Sequence, residues 1–260
     1  MPTAHEGSRD TALVTGAAGG IGAAVVRHLA NLGTRVVGID RDEEGLARLA
    51  SGCDPARVSV ATVDITSPGA VEHLVTTVES TVGPLTQLVN GAGVLRTSRI
   101  VDQPLRDVTE IMAVNVLGTM IVSRCVVGRM VDRGAGAVVT VTSNAARVPR
   151  AGLAAYSASK AAAEMFTRCL ALETAGSGVR CNVVAPGSTD TAMLRALWDE
   201  GGSAESTVVG DLAAFRTGIP LQRVASPEDV SRAVAFLLSD DARHITMHSL
   251  VVDGGASLGV

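Results

Sequence analysis

The chain alternates short, continuously apolar runs with stretches that have the spacing of amphipathic helices. Apolar runs without polar alternation are typical of strands covered on both faces, as in a parallel sheet flanked by helices. We expect strands at residues 11–16, 35–40, 58–65, 87–93, 136–143, 179–187 and 249–255. The pattern predicts an α/β, doubly wound fold, and because no linker or repeat interrupts it, we interpret residues 1–260 as a single domain.

Composition excludes several classes of function. Aromatic residues make up 2% of the chain and the net charge is -4, which argues against stacking on nucleobases and against binding to nucleic acid or an anionic membrane. No apolar run reaches the roughly 18 residues of a membrane span, and residues 1–10 lack the apolar segment of a signal peptide. The four cysteines have no metal-binding spacing, so we predict no metal site and a cytoplasmic location.

One stretch, residues 199–220, has no clear periodicity and is rich in Gly and Ser. It follows the carboxyl end of a predicted strand, which is the ligand side of an open α/β sheet. We interpret it as a mobile lid over the substrate, with an ordinary surface excursion as the alternative.

A glycine-rich turn, "TGAAGGIG", follows the first predicted strand and opens a helix. Gly16, Gly20 and Gly22 would allow a tight turn, close approach of a pyrophosphate and close helix packing, with the helix N terminus facing the phosphates. A turn that serves packing alone is the alternative. The position of the turn between a predicted strand and a predicted helix favours a dinucleotide site.

Two acidic residues end the next strands. Asp40 lies where a carboxylate can accept hydrogen bonds from the ribose hydroxyls of the adenosine, and it would repel a 2'-phosphate, which favours NAD over NADP. Arg41 could soften this preference. Asp64 could hydrogen-bond the adenine amino group, or it could be an ordinary loop or helix-capping carboxylate.

Tyr156 and Lys160 are the only tyrosine and the only lysine in the chain, and they are spaced to share one helix face. A nearby ammonium favours a phenolate and lowers the pKa of the phenol, so the pair suits a general base. Ser143 ends a strand 13 residues earlier, where its hydroxyl could reach the phenol. Asn115 is polar within an apolar helical stretch, so we expect it to have a partner such as an ordered water.

Taken together, "TGAAGGIG", "NGAG", "VNVLG", Ser143, "YSASK" and "APGSTDT" resemble the short-chain dehydrogenase/reductase family across essentially the whole chain. The resemblance implies a Rossmann-type fold with a seven-stranded parallel sheet and helices on both faces. It implies a nicotinamide cofactor and a catalytic tetrad of Asn115, Ser143, Tyr156 and Lys160. It also implies a homotetramer, with the helices that contain Asn115 and Tyr156 at an interface.

The same resemblance implies that Thr191 contacts the nicotinamide carboxamide and that Asn90 and Gly91 line the cofactor cleft. Gly91 departs from the second Asn that is common there. The full set of expected cofactor residues is Gly16, Gly20, Ile21, Gly22, Asp40, Arg41, Asp64, Ile65, Asn90, Gly91, Tyr156, Lys160, Pro186, Gly187, Thr189 and Thr191.

Within the family, the C-terminal half is similar to members that oxidise 2,3-dihydro-2,3-dihydroxybenzoate for catecholate siderophores. The stretches that carry this are "GVLR", "VPRAGLAAYSASKAA", "GSGVRCNVVAPGSTDTAMLRALW", "GIPL" and "HITMHSLVVDGGASLG". Asn144 departs from the pattern of these members, in which an acidic residue is expected at this position. The resemblance implies that Tyr156 takes the proton of the C3 hydroxyl while hydride leaves C3 for NAD+.

Such a substrate needs a cation for its carboxylate. Arg150 is the first candidate, because a guanidinium can hold a carboxylate through two parallel hydrogen bonds, and Arg147 and Arg96 are weaker ones. Ser143 would bind the reacting oxygen. An apolar wall could come from residues at helical spacing, or these could be core residues: Met193, Leu197 and Trp198.

Three other functions remain open at this point. The amino analogue 2,3-dihydro-3-hydroxyanthranilate differs only at C2 and could use the same site. A ketoacyl or sugar reductase would share the tetrad, although Asp40 disfavours the NADPH that such reductions usually use. A noncatalytic NAD-binding regulator would not require a complete tetrad.

Overall fold

The computed structural model describes residues 10–199 and 202–259, so residues 1–9, where the absence of a signal peptide was predicted, lie outside the described residues. Seven parallel strands form one sheet in the order β3-β2-β1-β4-β5-β6-β9. The strands are β1 (Thr11–Thr15), β2 (Arg35–Asp40), β3 (Val58–Thr62), β4 (Gln87–Asn90), β5 (Gly136–Val141), β6 (Val179–Pro186), β7 (Gly210–Asp211), β8 (Arg216–Thr217) and β9 (Ser249–Val252).

Helices cover both faces of this sheet, which confirms the predicted architecture. They are α1 (Gly20–Asn31), α2 (Glu43–Ser51), α3 (Pro68–Thr81), α4 (Leu105–Met112), α5 (Thr119–Arg133), α6 (Ala154–Thr174), α7 (Ala192–Asp199), α8 (Ala204–Val209) and α9 (Pro227–Leu238). Alternate strand residues feed two separate cores: Val14 packs with α1, α2 and α9, whereas Leu13 packs with α3, α5 and α6. Both faces are buried, which explains the continuous apolar runs.

The strand order reverses at β1, which lies between β2 and β4. Thr15, its last residue, pairs with Ile39 on one side and with Asn90 on the other. The crossover helices leave on opposite faces here, so the chain opens a crevice at the carboxyl ends of these strands. This crevice is where a ligand site is expected.

The stretch Leu105–Arg133 is one helical run that is long and apolar enough, by length and composition, to cross a membrane. Half of its most apolar window is buried inside the protein. Val122, Val126 and Met130 belong to the core on one face of the sheet. Core packing therefore accounts for much of its apolar character.

The predicted lid is more regular than its sequence suggests, although Glu200 and Gly201 lie outside the described residues. It contains α8 and an antiparallel hairpin of β7 and β8, in which Asp211 pairs with Arg216. Thr217 Oγ1 donates to the Ala256 carbonyl over 2.8 Å, which fastens the hairpin to the loop after β9. The hairpin thus has a defined place beside the C-terminal loop.

Candidate active site

The loop between β1 and α1 passes very close to the loop after β4. Gly16 has a left-handed φ of 73°, and a Cβ atom there would lie 2.7 Å from the main chain of Ala92. Gly22 faces the carbonyl oxygen of Gly16 so closely that a side chain would collide with it. Glycine is therefore required at both positions.

A cavity of about 410 Å³ lies at the carboxyl ends of β1, β2 and β4. The N-terminal residues of α1 form one wall, so unpaired main-chain N–H groups and the positive end of the helix dipole are available to a phosphate. The expected cofactor residues that line the cavity are Gly16, Gly20, Ile21, Gly22, Asp40, Arg41, Asp64, Ile65, Gly91 and Thr191. This combination of a glycine cradle with a carboxylate at the far end fits a dinucleotide.

Asp40 lines the cavity with both carboxylate oxygens held by main-chain N–H groups. Oδ2 accepts from Ala18 N and Oδ1 from Asp42 N, each over 3.1 Å. Each oxygen keeps a lone pair for a ribose hydroxyl. Arg41 also lines the cavity, but its guanidinium lies 3.5 Å from the carboxylate of Glu110, which offsets its charge.

Asp64 is held in a tight turn by Thr66. Its Oδ1 accepts from Thr66 N over 2.8 Å and from Thr66 Oγ1 over 2.7 Å. These two hydrogen bonds lower the pKa of the Asp64 carboxyl. The carboxylate is thus oriented at the cavity wall and stays ionised.

Several expected cofactor residues lie behind the cavity wall instead of on it. Asn90 is buried, and its Nδ2 donates to Ser123 Oγ over 2.9 Å and to Thr140 Oγ1 over 3.3 Å. The others, Pro186, Gly187 and Thr189, form the end of β6 and the turn after it, where Gly187 N donates to Val252 O and Thr189 Oγ1 to Gly187 O. Their side chains do not line the cavity.

Thr15 is a site residue that sequence reasoning missed. Its Oγ1 accepts hydrogen bonds from the main-chain N–H groups of Gly91 (3.0 Å) and Ala92 (3.1 Å), and so fixes the loop after β4 against the glycine turn. A Cβ atom at Gly91 would lie 2.7 Å from Thr15 O, which explains why this chain has glycine there. The sequence signal for this role was a threonine at the end of the first predicted strand.

The helix α6 places Tyr156 and Lys160 one turn apart, with Lys160 Nζ 5.8 Å from the centre of the phenol ring. Nζ donates to Val141 O over 3.1 Å. Burial lowers the pKa of Lys160 to about 8, so the ammonium is still the main form at neutral pH. Lys160 lies just beyond the cavity wall, because a Cβ atom on Gly93 would be 3.1 Å from Nζ.

The phenol itself is less acidic than the sequence suggested. Burial raises the pKa of Tyr156 to about 12, and a hydrogen bond from Ser143 opposes this shift. The residues alone therefore keep Tyr156 protonated at neutral pH. Ionising the phenol in this site requires additional positive charge close to it.

Ser143 lies two residues after β5, at the N-cap of a 3-10 turn, and is well oriented for this contact. Its Oγ accepts from Ala145 N over 3.1 Å, which leaves its proton to donate toward Tyr156. The next residue, Asn144, donates from Nδ2 to Asp253 Oδ2 over 3.1 Å. The asparagine at residue 144 thus links the loop that contains Ser143 to the loop after β9.

Asn115 lies in a π-helical segment, Ala113–Gly118, between α4 and α5. Its Oδ1 accepts from Val94 N (2.8 Å), and its Nδ2 donates to Val94 O (3.0 Å) and to Ser159 Oγ (2.9 Å). The side chain therefore has partners, as expected, and all three are protein groups. The expected water stays a prediction, since Oδ1 and the main-chain carbonyl, which accepts from Thr119 Oγ1, each keep a lone pair for one.

Two of the three candidate arginines are already paired with carboxylates. Arg96 lies 2.9 Å from Glu110, and Arg147 lies 2.6 Å from the buried carboxylate of Glu164. Arg150 is half-buried, and its guanidinium makes no hydrogen bond or ion pair within residues 10–199 and 202–259. Burial lowers its pKa, assisted by the charge of Arg216 and opposed by that of Asp253.

Of the three apolar candidates, Leu197 lines neither of two nearby cavities, and Met193 and Trp198 lie apart. Met193 lines the cofactor cavity. Trp198 lines a second, open cavity of about 610 Å³ between α7 and α8, and its Nε1 donates to Thr207 Oγ1 over 3.0 Å. Of the two, only Met193 lies beside the cofactor cavity.

Comparison with known proteins agrees with this geometry. The chain is 45% identical to the 2,3-dihydro-2,3-dihydroxybenzoate dehydrogenase of Bacillus subtilis over 251 residues, 96% of each chain. It is 40% identical to the vibriobactin-specific 2,3-dihydro-2,3-dihydroxybenzoate dehydrogenase of Vibrio cholerae over 95% of each chain. The structure is similar to that of levodione reductase, with a TM-score of 0.89, 25% identity, and coverage of 96% of this chain and 98% of the other.

The family model for short chain dehydrogenases matches residues 10–201. The chain therefore belongs to the short-chain dehydrogenase family and is an oxidoreductase that uses a nicotinamide cofactor.

Proposed function

We propose that this protein oxidises 2,3-dihydro-2,3-dihydroxybenzoate to 2,3-dihydroxybenzoate with NAD+. The observation that carries the proposal is the half-buried Arg150, which has no partner among the described residues and lies on the loop between Ser143 and Tyr156. A cation in that position suits an alcohol that also bears a carboxylate. The similarity to relatives named for this substrate over nearly the whole chain supports the same conclusion.

The proposed mechanism uses three side chains at the reacting carbon. A bound oxidised nicotinamide cofactor supplies a positive charge and accepts the hydride. When substrate binds, Ser143 turns its one hydroxyl proton from Tyr156 to the C3 oxygen, and Tyr156, as phenolate, removes the C3 hydroxyl proton as the C3–H bond breaks. Lys160 holds its ammonium near the phenol and stabilises the phenolate.

Asn115 acts in this mechanism by holding the loop at Val94 against Lys160. The ketone formed at C3 tautomerises to a catechol, and the aromatic product makes oxidation the favoured direction. The balance is one hydride transferred from C3 and one proton released through Tyr156.

Preference for NAD over NADP is part of the proposal. Asp40 would repel a 2'-phosphate, and Arg41, the next residue, lies 3.5 Å from Glu110, a carboxylate that it shares with Arg96. Arg48, on α2, lies 3.7 Å from both Asp42 and Glu44. The adenosine end of the cavity therefore offers no free guanidinium from these residues for a second phosphate.

We also propose that the protein works in the cytoplasm as a homotetramer of one-domain subunits. The helical run 105–133 and α6 expose large apolar side chains to solvent, and contact with a second subunit would bury them. These residues are Leu105, Met112, Leu117, Met165 and Leu172, with exposed fractions of 78%, 37%, 56%, 56% and 69%. Light scattering after gel filtration would give the mass of the assembly.

The test of the activity is an assay of the purified protein with NAD+ and 2,3-dihydro-2,3-dihydroxybenzoate, in which NADH formation is followed by absorbance. We expect stoichiometric NADH and 2,3-dihydroxybenzoate. The amino analogue 2,3-dihydro-3-hydroxyanthranilate is assayed in parallel. Turnover of an unrelated alcohol, with none of either acid, would contradict the proposed substrate.

A further inference from the structure

A second unpaired arginine lies near Arg150. Arg216, in β8, has its Nε atom buried without a hydrogen-bond partner, and its guanidinium is in no ion pair within residues 10–199 and 202–259. Burying an unpaired cationic group is costly, so such a group usually has a partner in the functional state. Arg216 is partly buried and lies in the 199–220 segment that follows β6.

Contacts through the C-terminal loop connect Arg216 with the catalytic serine. Thr217, next to Arg216, donates to Ala256 O, and Ala256 N donates to Asp253 O. The Asp253 carboxylate accepts from Asn144, which follows Ser143. The hairpin and the catalytic loop therefore contact the same short segment, and Arg150 lies on that catalytic loop.

Asp253 attracts Arg150, but one carboxylate cannot neutralise two guanidinium groups. Its Oδ2 already accepts from Asn144 Nδ2 and Ser257 N, and its Oδ1 from Gly255 N. The charge of Arg216 acts directly on Arg150, because it lowers the pKa of the Arg150 guanidinium. Two guanidinium groups thus repel each other beside one carboxylate that is already hydrogen-bonded.

We infer that Arg150 and Arg216 together bind the carboxylate of the substrate, with Arg216 supplied by the β7–β8 hairpin. The inference rests on the proposed function and extends it to the class of substrate: a cyclic alcohol that carries a carboxylate. An anion between the two groups removes their mutual repulsion and provides the buried Nε of Arg216 with an acceptor. The hairpin thereby selects acids over neutral diols.

The test is calorimetric binding to the NADH-loaded protein, with 2,3-dihydroxybenzoate as the acidic probe and catechol as the neutral one. The variants are Arg216→Gln and Arg216→Lys. Arg27→Gln, an exposed position on α1, is the control for the loss of one positive charge. NADH binding by each variant shows that it is folded.

We expect the wild type to prefer 2,3-dihydroxybenzoate over catechol. Arg216→Gln should weaken 2,3-dihydroxybenzoate binding about tenfold to a hundredfold, the range for a hydrogen bond to a charged group, without changing catechol binding. The affinity of Arg216→Lys for 2,3-dihydroxybenzoate should lie between those of the wild type and Arg216→Gln. The affinity of Arg27→Gln should match that of the wild type. If Arg216→Gln does not bind NADH, the test uses Arg216→Lys, whose binding of 2,3-dihydroxybenzoate and of catechol is compared with that of the wild type.

Equal affinity of the wild type for both probes, or unchanged 2,3-dihydroxybenzoate binding in a folded Arg216 variant, would overturn the arginine pair. The turnover assay separates this result from failure of the proposed function. A wild type that binds the acid through Arg216 but does not oxidise the dihydrodiol contradicts the function alone. A wild type that oxidises it while Arg216→Gln binds normally contradicts the arginine pair alone.

Discussion

Asn115 bridges both main-chain groups of Val94, accepting from its N–H over 2.8 Å and donating to its carbonyl over 3.0 Å. This bridge joins the π-helical segment to the loop that lines the cofactor cavity. The neighbouring Gly93 is close to Lys160 Nζ. The Asn115 amide therefore holds the cavity loop next to Lys160.

Asn115→Ala should lower both stability and cofactor affinity. Leaving the Val94 groups and Ser159 without their partner should reduce the free energy of unfolding by about 1–3 kcal/mol. Asn182→Ala is the matched control, because buried Asn182 bridges Ile245 O and His248 N far along the sheet. Urea unfolding and NADH titration should show similar destabilisation in both variants and weaker NADH binding in Asn115→Ala alone. Equal NADH affinity in both would leave Asn115 with a structural role only.

Tyr156→Phe should remove activity and retain the cofactor. The ring and its packing are preserved, while the hydroxyl that receives the proton is lost. Because general acid–base catalysis contributes about 10²–10⁴-fold, we expect kcat to fall at least about 100-fold. Steady-state kinetics and NAD+ binding measure the two effects separately. An active Phe variant would exclude a proton-transfer role for the phenol.

Lys160→Arg keeps the positive charge but should lose most of the activity. Lys160 is buried, its Nζ donates to Val141 O, and Gly93 lies against it, so a wider guanidinium has no equivalent position. We expect a loss of about 100-fold in kcat, within the range of acid–base contributions. Near-normal turnover would show that only the charge matters.

Stability should depend on pH through Lys160. Burial lowers the pKa of this lysine from 10.5 to about 8, so at pH values between these limits the unfolded chain binds more protons than the folded protein. The contribution of Lys160 to stability should therefore rise with pH in this window. The difference in unfolding free energy between the wild type and Lys160→Met should shift in favour of the wild type from about pH 8 to about pH 10. A difference that stays constant would contradict the lowered pKa.

The upper limit of that window is set by Tyr156. Its raised pKa, about 12, has the opposite effect, because above the ordinary value of 10.0 the unfolded chain binds fewer protons. Cys125 and Cys181, whose pKa values burial raises from 9.0 to about 11, act in the same sense as Tyr156 from about pH 9, and the comparison with Lys160→Met cancels them.

Asp40→Asn should relax the choice of cofactor. Removing a carboxylate from the ribose end relieves repulsion of a 2'-phosphate. The Coulomb energy of two unit charges about 4 Å apart is about 1–4 kcal/mol. We expect the ratio of kcat/KM for NADP+ to that for NAD+ to rise at least about tenfold. Asp42→Asn, at the adjacent N-cap of α2, should leave the ratio unchanged. An equal effect of both variants would indicate a general charge effect.

Local patterns predicted the fold and the glycine turn because their causes are local. Continuous apolar runs reflect burial on both faces, and Gly16 and Gly22 reflect one turn. The charge partners could not be found in this way. Arg147 is neutralised by Glu164 on the next helix, and Arg216 becomes relevant only because the hairpin folds against the C-terminal loop. The raised pKa of Tyr156 depends on burial, which spacing does not reveal.

The hydrogen bond from Asn144 to Asp253 has a consequence for synthesis of the chain. The residue that follows the catalytic serine takes its partner from 109 positions later, just after the last strand of the sheet. While the chain is still on the ribosome, β1 to β6 can emerge with the Asn144 amide unpaired. The loop that contains Ser143 and Asn144 therefore reaches its final hydrogen-bonded state only when the segment after β9 has been made and has docked.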